Sequence, residues 1–186
     1  MDNKTTNKVY NNYDNIYSPC QITKQIMLPI TSIGKNLLDT LETNITRIIG
    51  GKCIVEGYVN TEKIRVVTFS SGLIKGENVI FDVVFNCEVC YPVSGMKLNC
   101  IAKNITKAGI RAESTSANPS PFILFVARDH FYSSEHFNSI KENDIFVARV
   151  IAQRFELNDK YISIIASLVP NKDEKNSDNT KARLVM

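Results

Sequence analysis

Few residues in this chain have both the type and the spacing that chemistry requires. Cys87-Glu88-Val89-Cys90 is a CxxC, the spacing with which two thiolates can grip zinc. It closes a run in which Val79, Phe81, Val83 and Phe85 alternate with Ile80, Asp82 and Val84. That period is a half-buried strand, where positions i and i+3 point to opposite faces. No second CxxC accompanies it, and Cys53 and Cys100 stand singly. The pair therefore reads as buried or half-buried thiols rather than as a metal site. A small metal- or thiol-dependent enzyme built around it is the alternative, decided by metal content and thiol reactivity. The histidines are His130 and His136; Asp129-His130 could be half of a triad, but no Gly-x-Ser-x-Gly elbow or phosphate-cradling glycine loop accompanies it. No catalytic residue, cofactor or metal is expected.

The elements that would position such residues follow from periodicity. Gln21 to Leu28 reads as a strand leading into Pro29, with Thr31 or Ser32 as the N-cap of a helix. Ile33, Leu37, Leu38, Leu41, Ile45 and Ile48 recur at helical spacing, Arg47 suits the last turn, and Gly50-Gly51 stop the helix. Strands are expected over Cys53 to Val59, Ile64 to Phe69 and Val79 to Phe85, with Ser70 to Gly76 as a turn. One helix on one face of a small antiparallel sheet is an α+β unit. Tyr91-Pro92-Val93-Ser94-Gly95 marks a boundary. Beyond it, short strands are read at Met96 to Ile105, Ile110 to Glu113, Phe122 to Val126, Ile145 to Phe155 and Tyr161 to Val169. Between the third and fourth, Asp129 to Asn138 forms a longer connection. That arrangement suggests an all-β five-stranded barrel of the OB type.

Composition sets broad bounds. Of 186 residues, 44% are apolar and 22% charged, as in ordinary globular proteins. The net charge of +3 is weak; it lies in the second half, with 9 basic and 7 acidic residues over 94–170 against 7 and 7 over 19–93. This permits contact with nucleic acid. No apolar run could span a bilayer, the first residues are polar, and five cysteines fit reduced thiols. An intracellular protein without a membrane partner is expected. Residues 1–18 and 171–186 read as flexible tails, 19–93 as the α+β unit and 94–170 as the barrel.

The order Pro29…Gly34-Lys35…helix…Gly50-Gly51-Lys52-Cys53…Glu56-Gly57-Tyr58-Val59…Ser71-Gly72-Leu73-Ile74…Val79-Ile80-Phe81-Asp82-Val83…Pro92…Gly95 resembles one family. It is the stalk subunit of multisubunit DNA-dependent RNA polymerases, which is the seventh subunit of the eukaryotic enzyme and has a direct archaeal counterpart. The resemblance covers about residues 20 to 169. The polar N-terminal stretch and the Asn-rich composition depart from cellular members and suit a viral or divergent one. The resemblance implies a non-catalytic subunit in transcription. Its first domain would dock on polymerase core subunits and contact a small helical stalk partner. Its OB fold would bind emerging single-stranded RNA. Location would be the nucleus, a cytoplasmic viral factory or the virion. The alternative of another class is a free-standing OB-fold RNA-binding or translation factor.

The resemblance implies core docking at Pro29, Ile33, Gly34 and Lys35 and at Gly72, Leu73, Ile74 and Gly76, positions whose glycines would allow close approach and whose aliphatics would offer anchors. RNA-binding candidates are Lys103, Lys107 and Arg111 on the first hairpin and Arg128, His130 and Phe131 after the third strand. On the last two strands they are Arg154 and Tyr161. Arg149 and Arg154 fall on opposite faces of the fourth strand unless a bulge intervenes. Many RNA-binding OB domains carry an aromatic after the hairpin glycine; here Gly109 is followed by Ile110. Binding is therefore expected to be weak, salt-sensitive and sequence-tolerant. The plainer account of each is an ordinary turn or a solubilising charge.

Overall fold

The structure, a computed structural model, describes residues 13, 15–130 and 135–169. In chain order the elements are β1 (Ser18–Pro29), α1 (Leu37–Ile49), β2 (Cys53–Ile54), β3 (Gly57–Val59), β4 (Arg65–Phe69), β5 (Leu73–Lys75) and β6 (Asn78–Cys90). They continue with β7 (Lys97–Ile105), β8 (Gly109–Ser114), β9 (Phe122–Ala127), α2 (Glu135–Ser139), β10 (Ile145–Arg154) and β11 (Ile162–Leu168).

β6 is the spine of the first sheet. β1 runs antiparallel along its full length, from Ser18 opposite Val89 to Pro29 opposite Asn78. Its other edge is shared end to end by β5 at Asn78 to Ile80, β4 at Val83 to Asn86 and β3 at Val89 and Cys90. Val79, Phe81, Val83, Phe85, Cys87 and Val89 are buried in one apolar cluster with Ile26 and Leu28 of β1 and Leu41, Ile45 and Ile49 of α1. The Glu42 carboxylate ties the helix to β4, accepting from the Arg65 guanidinium at 3.0 Å and the Val66 N–H at 3.1 Å. The second sheet is a closed five-stranded barrel: β7, β8 and β9 form an antiparallel meander, β9 pairs in parallel with β11, and β10 bridges β11 back to β7.

Several local expectations are corrected. The helix begins at Leu37, with Asn36 at the N-cap position but making no side-chain cap bond, and not after Thr31 or Ser32, which lie in a 3-10 turn followed by extended Ile33 and then Gly34; the i, i+4 series ran one turn too far upstream. Its buried stripe is Leu41, Ile45 and Ile49, while Ile48 is exposed. Cys53 to Val59 is a hairpin rather than one strand, turning at Val55-Glu56. A side chain at Gly57, where φ is +128°, would strike the Cys90 carbonyl. Ser70 to Gly76 contains the edge strand β5 instead of being wholly a turn. The N-terminal stretch expected to be a solvated tail ends in contact: Ile16 is buried and Tyr17 packs against the same cluster.

That cluster is the barrel core, and it also contains Cys53, Tyr58 and Cys90. These three form one cross-strand row through β2, β3 and β6. One end of the first sheet is thus apolar on both faces, one against α1 and the other closing the barrel. Backbone bonds lock this seam. Cys53 N–H donates to Asp159 and Asn158 N–H to Cys53, both at 2.8 Å. Tyr91 packs edge-on against Phe155. No helix among the described residues is long and apolar enough to cross a membrane.

The CxxC thiols enter different cores, Cys87 beside the helix and Cys90 in the barrel seam. The direct cross-strand neighbour of Cys87 is Cys20. Burial pushes the Cys53 and Cys87 thiols up to about 11 and those of Cys90 and Cys100 to about 12. Asp159 adds to the shift at Cys53, Cys20 to that at Cys87, and Cys53 to that at Cys90. Tyr17 and Tyr58 are also raised, mainly by burial.

Two outcomes follow for stability. Ile45→Ala should cost about 2–5 kcal/mol in urea unfolding, since it empties a site between helix and sheet. The raised thiols favour the fold fully below their ordinary value of 9.0, and that stabilisation is lost as pH rises toward about 11–12. Urea midpoints should hold level from neutral pH to about 8.5 and fall steadily above 9. A level midpoint through pH 11 would show that the thiols are not held neutral by the fold.

Candidate nucleic-acid interface and docking surface

The expected docking residues come together at the end of the first sheet farthest from the barrel seam. Leu73 of β5 and Met27 of β1 flank Ile80 of β6, and Ile74 and Leu28 flank Val79. Pro29 closes β1; Ile33, Gly34 and Lys35 lie in its connection to α1, and Gly76 lies in the β5–β6 turn, all exposed. Leu73 and Ile74 are 69% and 72% exposed. Gly72 has a reason internal to the chain, since a Cβ there would strike Val79 Cγ1 and the Phe81 ring. The structure adds Met27, Ile30 and Leu38, each about half exposed, to this apolar tip. Met27 was legible as the outward partner of buried Ile26 and Leu28 in a period-two strand. Ile30 was not, because it lies in a 3-10 turn after Pro29.

The expected RNA-binding residues separate into two groups. Lys103, Lys107 and Arg111 sit at the barrel end carrying the β7–β8 turn. All three are exposed, and none has a hydrogen bond or ion pair among the described residues. Arg128 adjoins them but is committed to the fold. Its guanidinium donates to Asn138 Oδ1 at 3.1 Å and to the Thr106 carbonyl at 3.3 Å, and it lies 5.0 Å from the Phe137 ring centre. An open recess lined by Ile105, Thr106, Lys107 and Arg128 lies between these groups. The His130 side chain and all of Phe131 fall outside the described residues.

Arg154 and Tyr161 lie at the opposite end, beside the seam. Arg154 pairs with Glu156 at 3.1 Å, both highly exposed, a contact worth little in water. A register shift between Val150 and Ala152 changes the face of β10. Arg149 and Arg154 therefore both point outward, meeting the condition their alternation demanded, but they stand at separate levels of the barrel opposite Ser167 and Ser163. The β10–β11 turn is occupied by the β2 hairpin through the Cys53 backbone bonds. Lys103, Lys107 and Arg111 thus remain grouped, exposed and unpaired among the described residues, at the far end.

Ile110 is fully buried, so the position after the hairpin glycine points into the barrel. The outward aromatic is Phe125 on β9, directly opposite Arg111. Sequence reading missed it because Phe122 to Val126 is apolar at every position. Only the alternation of buried Phe122, Leu124 and Val126 with half-buried Ile123 and Phe125 separates the faces. Among the described residues no group of three or more His, Cys, Asp or Glu side chains could share a metal ion.

No family model matches the chain. Among curated proteins it is similar to a putative DNA-directed RNA polymerase subunit of Acanthamoeba polyphaga mimivirus, 25% identical over 181 residues that cover 87% of each chain. Among solved structures, a multidomain protein with nucleic acid binding domains from Streptococcus pneumoniae superposes on 61% of this chain at 14% identity and a TM-score of 0.30. The chain spans only 39% of that protein, and a superposition at this level carries no functional information.

Proposed function

We propose that this chain is a non-catalytic stalk subunit of a DNA-dependent RNA polymerase, of viral type and intracellular. The reading is supported chiefly by similarity to the mimivirus putative polymerase subunit over 87% of both chains. In this reading residues 19–93 are the docking domain and 94–170 an OB-type barrel. The apolar tip around Leu73 and Ile74 seats on core subunits through exposed aliphatics of a kind that a monomer rarely clusters. The barrel's free cations Lys103, Lys107 and Arg111 meet the phosphates of emerging RNA. The strand order of the barrel and its cationic hairpin end suit such a ligand. A small helical partner in contact with the first domain completes the stalk.

Affinity capture of the tagged chain from its own infected or native cells should bring down the large polymerase subunits in near-equal amounts. Replacing Leu73 and Ile74 together by Asp should abolish that recovery while circular dichroism and the urea midpoint stay close to wild type, since both side chains are exposed. Recovery of the chain alone, or with ribosomal particles, would replace the stalk reading by that of a free RNA-binding factor.

A further inference from the structure

The barrel wall carries a built platform that the charge pattern alone does not reveal. By register, one outward row crosses four strands: Asn104 of β7, Arg111 of β8, Phe125 of β9 and Ile165 of β11. Side chains directly opposite on neighbouring strands lie about 4.5–5.5 Å apart at Cβ, so the Arg111 guanidinium can reach the rim of the Phe125 ring. The ring is backed by Gly109. A Cβ at that position would come within 2.8 Å of Phe125 Cζ and would also strike the Val126 carbonyl. The glycine therefore lets the ring lie against the strand instead of standing off it, as aromatics do when they cover a cross-strand glycine. One edge of the ring is held by backbone, while the side chain remains only half-buried.

We infer that Phe125 is the base-stacking platform of this barrel, with Arg111 beside it and Lys103 and Lys107 along the path of the phosphates. The ligand class is single-stranded RNA, read through base faces and backbone rather than base edges. This rests on the reading of the barrel as an RNA-binding module. The aromatic offers a face to any base, and the unpaired cations offer charge without a fixed pattern of donors. That combination gives sequence-tolerant, salt-dependent binding. Apolar neighbours such as Ile165, 55% exposed, extend the surface on which a splayed base can rest.

The test is fluorescence anisotropy of the full chain with an oligouridylate about 12 nucleotides long, within the footprint of one such barrel. Phe125→Leu, which keeps the wall apolar but removes the ring, should weaken binding by about 5-fold or more without changing the salt slope. Phe125→Tyr should restore it. Lys107→Glu should instead reduce both affinity and salt slope. Independently of any variant, an oligonucleotide carrying 4-thiouridine should crosslink on irradiation to the peptide that contains Phe125. If wild type binds while Phe125→Leu binds equally and the crosslink maps elsewhere, the platform is refuted and the RNA-binding reading survives. If wild type fails to bind at low salt, both fall. Tighter binding of a matched oligodeoxythymidylate, with the same dependence on Phe125, would reassign the platform to single-stranded DNA and overturn the proposal as stated.

Discussion

The molecule depends on one strand having to satisfy two cores. Over most of its 13 residues β6 buries one face under α1 and shows a mixed face, with Asp82, Asn86 and Glu88, to water. At its end the pattern changes: Val89 still faces the helix side, while Cys90 on the other face enters the barrel core with Tyr58 and Cys53. Side chains alternate without choice along a strand, so this end cannot be exposed on either side. The barrel must sit there. Ile16 from the N-terminal stretch fills the remaining space, and the Cys53 backbone bonds to the β10–β11 turn set the register of the contact.

That constraint distributes function to the extremities. A strand of this length spans about 40 Å, which separates the apolar tip at Leu73 and Ile74 from the seam. Lys103, Lys107 and Arg111 lie at the barrel end away from the seam. Both candidate surfaces are therefore kept clear of the contact that joins the two units. A seam built of a shared apolar core and direct backbone bonds also restrains relative motion more than a flexible linker would.

The charges that matter are those the fold leaves unspent. Arg65 is bonded to Glu42 and Arg128 is held by Asn138, Thr106 and Phe137, while Arg154 meets Glu156 only in an exposed pair. Lys103, Lys107 and Arg111 have no such obligations among the described residues. The net charge is only +3, and these three exposed cations are grouped at one end of the barrel. The cysteines are accommodated as small apolar side chains. The two thiols of the CxxC face opposite sides of one strand, so proximity in sequence does not bring them together.

By itself the sequence determined the inventory of elements: the amphipathic helix ended by Gly50-Gly51, the alternating spine from Val79 to Phe85, and the strands of the barrel with their turns. These are local, because periodicity and turn chemistry act over a few residues. It also marked Leu73, Ile74, Lys103, Lys107 and Arg111 by type. Only tertiary structure decided that Arg128 is a brace, that a bulge turns Arg154 outward, that Ile16 closes a core, and that Phe125 rather than position 110 faces solvent. Each of these depends on what lies across a strand pair or a seam. An all-apolar run such as Phe122 to Val126 carries no record of which face will meet water.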